Sequence, residues 1–192
     1  MKIALFGGSF DPIHYGHMTL AESARNKFKL DKIIFIPVGK QPHKLNSNCT
    51  QGIDRFNMVK LAVKNNPGFN VSDYEIKSNK INYTYRTIEY FLKKFDNDKL
   101  FFLVGIDILL QLHSWEKGLK ILELCPFLVG LRPKFPVNTI PKQIRNKVFL
   151  FKSPLIDISS TFVRNQIEQK KSISYIVPEK VKQYIKLHNL YS

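Results

Sequence analysis

Near the start of the chain, residues 7–17 read GGSFDPIHYGH, directly after an apolar run at residues 2–6. An apolar run that stops at paired glycines predicts a buried β-strand, and the apolar pattern from Gly16 to about Phe28 predicts a helix after it. Glycines at such a junction let a ligand approach the main chain and offer N–H groups to phosphate. The stretch therefore predicts an anion-binding junction, although it is neither the GxGxxG dinucleotide pattern nor a Walker loop.

The two histidines of this stretch are its most specific feature. His14 and His17 stand three residues apart at the predicted helix start, so both imidazoles lie on the same side of the first turn. The positive end of the helix and its free amides add to them, and together they suit a polyphosphate. The alternatives are a pair of structural histidines or a metal-binding pair, and the lack of a neighbouring carboxylate disfavours the metal.

The rest of the chain alternates apolar runs with helical patterns. We predict strands at residues 32–37, 69–76, 100–104, 126–131 and 148–151, and helices at residues 53–65, 83–95, 115–124, 160–169 and 178–188. Continuous apolar strands are typical of a parallel sheet covered by helices on both faces. With no repeat or linker in the chain, we predict an α/β fold, a single doubly wound domain over residues 1–192. Ligands bind such sheets beyond the carboxyl ends of the strands, where the winding direction reverses.

Several candidate ligand contacts follow the predicted strands. After the second strand, Lys44 is either a phosphate contact or part of a solvated loop. After the fourth, Gly105 permits close approach of a ligand, and Asp107 either hydrogen-bonds a ribose or caps the next helix. Trp115 either belongs to the core or stacks on an aromatic ring.

A second notable stretch, ISSTFVR, occupies residues 158–164. Ser159 or Ser160 can cap the predicted helix, and the hydroxyl run through Thr161 exposes amides toward an anion. Arg164 lies near the helix N-terminus, where the helix dipole disfavours a cation. This suggests that Arg164 neutralises a phosphate, the alternative being an ordinary surface arginine.

The composition excludes several classes of protein. The 192 residues carry a net charge of +15, but of the 30 basic residues 24 are lysines spread along the chain and 6 are arginines. A phosphate-gripping groove clusters its charge and favours arginine, so a nucleic-acid-binding module is disfavoured. No apolar run approaches the roughly 20 residues of a membrane span. Cys49 and Cys125 lack disulfide or metal spacing, which predicts a cytoplasmic protein.

Taken together, the two motifs resemble a known superfamily. GGSFDPIHYGH is similar to the HxGH signature of nucleotidyltransferases, and ISSTFVR is similar to their partner motif about 140 residues later. Other segments resemble the bacterial nicotinate-nucleotide adenylyltransferase family, at residues 42–44, 82–84, 104–107, 114–115, 132–133 and 175–178. The resemblance implies a Rossmann-like nucleotidyltransferase fold. Other members of the superfamily remain the nearest alternatives.

The resemblance also implies a reaction and its participants. The 5′-phosphate of nicotinate mononucleotide would attack the α-phosphorus of ATP, releasing pyrophosphate and forming nicotinate adenine dinucleotide, the NAD precursor. No protein nucleophile or general base is implied, so catalysis would be positioning and charge stabilisation. Mg²⁺ would bridge phosphate oxygens, mostly through water. Nicotinamide mononucleotide is the closest alternative substrate, and a homodimer is a candidate state.

Residue roles follow from the same resemblance. The implied catalytic residues are His14, His17 and Arg164. The implied ATP contacts are Gly7, Gly8, Ser9, Phe10, His17, Gly105, Asp107, Ser159, Ser160, Thr161 and Arg164. The implied mononucleotide contacts are Ser9, Lys44, Thr84, Trp115 and Arg132.

Overall fold

The computed structural model describes residues 1–39, 50–78, 81–132, 135–154 and 156–192. The predictions for Lys44 and Cys49 lie outside these residues, as does most of the loop predicted at residues 38–52. Within the described ranges, no helix combines the length and apolar character required to cross a membrane.

Six strands form the sheet. They are β1 (Lys2–Gly8), β2 (Lys32–Pro37), β3 (Phe69–Val71), β4 (Lys99–Gly105), β5 (Phe127–Leu131) and β6 (Val148–Lys152). The α-helices are α1 (Tyr15–Phe28), α2 (Gly52–Val63), α3 (Thr84–Lys94), α4 (Ile106–Leu109), α5 (Lys142–Arg145), α6 (Ser160–Glu168) and α7 (Glu179–Leu187). Short 3-10 turns occupy Leu112–Ser114, Gly118–Glu123 and Val137–Thr139.

All strand pairs in the sheet are parallel, and the strand order is β3-β2-β1-β4-β5-β6. The chain winds outward from β1 to β3 and then returns to place β4 on the other side of β1. The predicted doubly wound α/β sheet is therefore confirmed. The winding reverses between β1 and β4, whose carboxyl ends lie side by side with Phe6 opposite Leu103. This is where a ligand crevice opens in such sheets.

The core has two parts, one on each face of the sheet. The four successive residues from Ile3 to Phe6 of β1 are all buried, because they point alternately to two covered faces. Ala4 and Phe6 pack in the cluster that contains the buried side chains of α1, α2 and α7. Ile3 and Leu5 pack in the cluster that contains those of α3. Each fully buried aliphatic or aromatic side chain contributes about 1.5–3 kcal/mol, so both faces fix the carboxyl end of β1 firmly.

Two sequence predictions are wrong in detail. The strand predicted at residues 69–76 ends at Val71, because the following residues turn: the Tyr74 N–H donates to the Ser72 hydroxyl oxygen at 3.2 Å. The helix predicted at residues 115–124 is instead a 3-10 segment over Gly118–Glu123, and Trp115 lies between it and the 3-10 turn Leu112–Ser114. Lys117 and Gly118 have φ values of 61° and 39°, which an α-helix cannot accommodate. The other predicted elements are present, with bounds shifted by a few residues.

Candidate active site

A cavity of about 600 Å³ opens beyond the carboxyl ends of β1 and β4. The predicted site residues that line it are Gly7, Gly8, Ser9, Phe10, His17, Thr84, Gly105, Asp107, Trp115 and Arg132. They come from β1, α1, α3, α4, the end of β4 and the residues just after β5. The fold thus brings most of the predicted ATP contacts and most of the predicted mononucleotide contacts to one cavity.

The remaining predicted residues lie beside this cavity and are not among the residues that line it. They are His14, Ser159, Ser160, Thr161 and Arg164. The start of α6 packs on the Asp11-Pro12 peptide: the Ser160 hydroxyl donates to the Pro12 carbonyl oxygen at 2.9 Å, and Arg164 Nη1 donates to the Asp11 carbonyl oxygen at 2.7 Å. The two motifs therefore meet through the main chain of the first.

The cap of α6 is Ser159. The Phe162 N–H donates to the Ser159 hydroxyl oxygen at 3.1 Å, which resolves the choice between Ser159 and Ser160. Ser160 is therefore free to bind the Pro12 carbonyl. Arg164 Nη2 donates to the Thr161 hydroxyl oxygen at 3.1 Å, so the first turn of α6 holds its own guanidinium in place.

The two imidazole rings are stacked, with centroids 3.8 Å apart and planes 29° apart. They lie on the same side of the first turn of α1, as predicted. The backbone N–H of His14 donates to His17 Nδ1 at 3.4 Å. Nδ1 is therefore the acceptor, and the proton of a neutral His17 ring lies on Nε2. A Cβ at Gly16 would lie 3.0 Å from two atoms of the His14 ring, so any other residue there would crowd that ring.

Burial holds both imidazoles neutral. His14 is 2% exposed, and burial, aided by the positive charge of Arg132, lowers its pKa to about 3. Burial also lowers the pKa of His17 well below its ordinary value, with His14 and Arg132 adding to the effect. Neutral rings bind a phosphate as hydrogen-bond donors, and an approaching anion favours their protonation. Within the described residues, His14 Nδ1 is buried without a hydrogen-bond partner.

Asp107 presents an acceptor at the end of β4. Its Oδ2 lies 3.6 Å from Arg132 Nη1, while its Oδ1 is buried and has no hydrogen-bond partner among the described residues. Gly105, not Asp107, is the N-cap residue of α4. A Cβ at Gly105 would lie 2.3 Å from Asp107 Oδ1, so glycine is needed to admit this carboxylate. A free buried acceptor suits a hydroxyl donor such as a ribose.

Thr84 and Trp115 form the other side of the cavity. Thr84 is the first residue of α3, and Trp115 lies between two 3-10 turns, partly buried against the core cluster of α3. Each residue also lines the cavity. The indole of Trp115 thus packs against the core and also lines the cavity.

Arg55 is a site residue that the sequence analysis missed. It is 2% exposed and donates to three carbonyl oxygens: Ser9 at 2.8 Å, Gly39 at 3.3 Å and Thr50 at 3.0 Å. One guanidinium thus fixes the turn after β1, the end of β2 and the residues before α2. A charged residue on the buried face of a predicted helix is the signal that could have found it.

Glu75 is the second missed residue, and it lines the cavity. Its Oε1 accepts from the Thr87 hydroxyl at 2.7 Å, and its Oε2 accepts from the Gly39 N–H at 3.3 Å. Burial raises the pKa of Glu75, while these hydrogen bonds and the charge of Arg55 oppose that shift. Gly39 is held on both sides, because its N–H binds Glu75 and its carbonyl binds Arg55.

The described residues contain no group of three or more His, Cys, Asp or Glu side chains that could hold a metal ion. A divalent cation acting here would therefore take most of its oxygen ligands from substrate phosphates and water. The described part of the site offers N–H donors and a carboxylate acceptor on Asp107, an arrangement that suits a charged nucleotide.

Comparison with known proteins agrees with this geometry. The model of the family described as cytidylyltransferase-like matches residues 5–166. A probable nicotinate-nucleotide adenylyltransferase of Clostridium novyi (strain NT) is 40% identical, with 99% of this chain and 98% of that protein covered. The equivalent protein of Clostridium tetani (strain Massachusetts / E88) is 42% identical, with the same coverage.

Solved structures share the fold. The Plasmodium falciparum nicotinic acid mononucleotide adenylyltransferase complexed with NaAD superposes with a TM-score of 0.80 at 23% identity, covering 99% of this chain and 97% of that one. The same protein complexed with APC gives a TM-score of 0.80 at 22% identity, covering 99% and 96%.

Proposed function

The chain belongs to the cytidylyltransferase-like family, alongside relatives curated as probable nicotinate-nucleotide adenylyltransferases, and we propose that it adenylylates nicotinate mononucleotide. The reaction joins the AMP part of ATP to the mononucleotide and yields nicotinate adenine dinucleotide and pyrophosphate, a step of NAD biosynthesis. The observation that carries the proposal is the cavity at the β1/β4 crossover. It brings together His17, Asp107 and the pair formed by Thr84 and Trp115.

The chemistry needs no protein nucleophile. An oxygen of the mononucleotide 5′-phosphate attacks the α-phosphorus of ATP, and the bond from that phosphorus to the bridging oxygen breaks as pyrophosphate leaves with the electron pair. The protein orients the two phosphates and stabilises the charge of the transition state. His17 supports this role because its Nε2–H is the free donor of a neutral ring that lines the cavity. His14 positions His17 in two ways: its backbone N–H donates to His17 Nδ1, and its ring stacks on the His17 ring.

On the ATP side, the main chain of Gly7, Gly8, Ser9 and Phe10 would receive the phosphates, and Gly105 with Asp107 would receive the adenosine ribose. The start of α6, with Ser159, Ser160, Thr161 and Arg164, would neutralise the β- and γ-phosphates. The Arg164 guanidinium has five N–H groups. Two of them donate to the Asp11 carbonyl oxygen and the Thr161 hydroxyl oxygen. The other N–H groups are available to the leaving pyrophosphate.

On the mononucleotide side, Trp115 would stack on the nicotinate ring, and Thr84 would donate to its carboxylate. Ser9, Arg132 and Lys44 would meet phosphate oxygens, Lys44 from outside the described residues. Hydrogen-bond donors aimed at a carboxylate favour nicotinate over the amide of nicotinamide mononucleotide.

Mg²⁺ is the cofactor of the proposed reaction. Because the described residues form no metal-ligand cluster, the ion would be held by ATP phosphates and water. When bound, it would neutralise charge on the phosphates during transfer. The same proposal includes a single catalytic domain over residues 1–192, action in the cytoplasm and a homodimer as a candidate state, with no nucleic-acid or membrane partner.

The test is pyrophosphate release from ATP and Mg²⁺ with each mononucleotide in turn. We expect release with both, and a higher kcat/KM for nicotinate mononucleotide. His17→Ala serves as the control, because it removes the proposed donor from the cavity. Absence of release with either mononucleotide would refute the proposed function.

A further inference from the structure

The turn at residues 9–12 joins β1 to the histidine motif, and its backbone is strained. Phe10 has a φ of 48°, although it is a bulky residue and fully buried. Such a conformation is costly for a side chain of this size, and it persists only where the surrounding structure enforces it. The 9–12 turn carries Ser9 and Phe10 into the cavity, so whatever enforces the strain also positions the site.

Side chains of two helices hold the main chain of the 9–12 turn. Three of its carbonyl oxygens accept hydrogen bonds from side chains. The Ser9 carbonyl accepts from Arg55, the Asp11 carbonyl from Arg164, and the Pro12 carbonyl from Ser160. The donors come from α2 and α6. None of these bonds reaches the Asp11 side chain, which is buried in the same turn.

The Asp11 carboxylate is held by Tyr191. The Tyr191 hydroxyl donates to Asp11 Oδ1 at 2.6 Å, across 180 positions of the chain. Tyr191 follows α7 and is far along the sequence from the residues that line the cavity. Burial and the bond to Asp11 raise the pKa of the phenol, so it remains a donor over the whole working pH range.

We propose that Tyr191 is a positioning residue for ATP: its hydrogen bond to Asp11 keeps the 9–12 turn in the strained form that presents Ser9 and Phe10 to the nucleotide. This inference rests on the proposed function. Without the hydroxyl, the buried Asp11 carboxylate loses the donor that ties it to the segment after α7. The turn can then relax at Phe10, which moves the backbone N–H groups of Ser9 and Phe10 away from the phosphates of ATP.

Tyr184 provides a matched control. Its hydroxyl also donates to an aspartate, Asp54 Oδ1 at 2.9 Å, and accepts from Asn57 Nδ2 at 3.1 Å. This network joins α7 to α2 and does not reach the 9–12 turn, and Tyr184 does not line the cavity. Tyr184→Phe and Tyr191→Phe therefore each remove a hydroxyl that donates to an aspartate. Of these two hydrogen bonds, the one from Tyr191 reaches the 9–12 turn and the one from Tyr184 does not.

The experiment compares the steady-state kinetics and thermal unfolding of the two variants. KM does not depend on the fraction of enzyme that is folded, so it separates positioning from loss of stability. For Tyr191→Phe we expect KM for ATP to rise and kcat/KM for ATP to fall roughly tenfold, the scale of one hydrogen bond to a charged group. KM for the mononucleotide should change less than twofold, and Tyr184→Phe should leave both KM values unchanged.

Asp11 variants keep the inference testable if Tyr191→Phe does not fold. Asp11→Asn retains an acceptor oxygen for the phenol and should keep a near-normal KM for ATP, whereas Asp11→Ala should raise it. Kinetic constants of Tyr191→Phe equal to those of Tyr184→Phe would overturn the inference. So would equal KM values for Asp11→Asn and Asp11→Ala.

Calorimetric titration with a non-hydrolysable ATP analogue separates this inference from the proposed function. If the wild type releases no pyrophosphate but binds the analogue, and Tyr191→Phe binds it about tenfold more weakly, the positioning role stands and the proposed reaction fails. If the wild type is active and Tyr191→Phe binds the analogue as Tyr184→Phe does, the reaction stands and the positioning role fails.

Discussion

Acidification should destabilise the folded protein through the buried imidazole of His14. Unfolded, this histidine binds a proton below its ordinary pKa of 6.5, whereas in the fold its pKa is about 3. Between these values the unfolded state binds more protons, so stability falls as the pH falls. From pH 7 to pH 5, the linkage relation gives a loss of about 2 kcal/mol from His14 alone. The pKa of His17 is lowered in the same direction and adds to this loss.

The variant that isolates this effect is His14→Asn. Asparagine does not titrate in this range and is favoured at a helix N-cap, the position that His14 occupies. The free energy of unfolding in urea should fall by at least about 2 kcal/mol more in the wild type than in His14→Asn between pH 7 and pH 5. Other titrating groups, such as Glu75, are present in both proteins and cancel. Between pH 7 and pH 8 the two curves should run parallel.

A direct result would refute this reasoning. If wild type and His14→Asn lose the same free energy between pH 7 and pH 5, the imidazole is not buried in its neutral form. The site would then present a cationic pair to phosphate, and the proposed donor role of the His17 Nε2–H would need revision.

Three further substitutions test the site. His17→Ala should lower kcat by roughly two orders of magnitude with urea stability retained, because it removes one transition-state contact; a near-normal kcat would contradict its role. Trp115→Ala should raise KM for nicotinate mononucleotide in steady-state assays, and a change in KM for ATP alone would exclude stacking on the nicotinate ring. Arg55→Met should cost about 3 kcal/mol or more of unfolding free energy in urea, because it leaves three carbonyl oxygens without their charged donor and removes the positive charge that favours ionised Glu75. Adding Glu75→Gln to it should recover part of that loss, and strictly additive losses would show that the two side chains are not coupled.

Local patterns predict the inner strands of this protein well. β2 has its predicted bounds, β1 and β4 each extend a predicted apolar run by two residues, and β5 begins one residue later than predicted. Strands covered on both faces are apolar throughout, which is why the pattern finds them. The strand order itself depends on pairings between distant segments, and no local signal encodes it. The left-handed backbone conformation of Lys117 interrupts the helix predicted at residues 115–124, and no local pattern in the sequence indicated it.

The site was predictable where its residues form motifs and unpredictable where they act through the main chain. His17, Gly105 and Asp107 follow predicted strands and do line the cavity. Arg55 binds carbonyl oxygens, which every residue carries, so its partners leave no trace in the sequence. Tyr191 reaches Asp11 across nearly the whole chain, and only the assembled fold reveals that contact.

The position of the bond that breaks in ATP tests the proposed reaction most directly. The protein, Mg²⁺ and nicotinate mononucleotide would be incubated with ATP labelled in parallel reactions at the α- or the γ-phosphate, and the products separated. Adenylyl transfer predicts the α-label in nicotinate adenine dinucleotide and the γ-label in pyrophosphate. Transfer of the γ-label to the mononucleotide, or recovery of both labels in unreacted ATP, would contradict it.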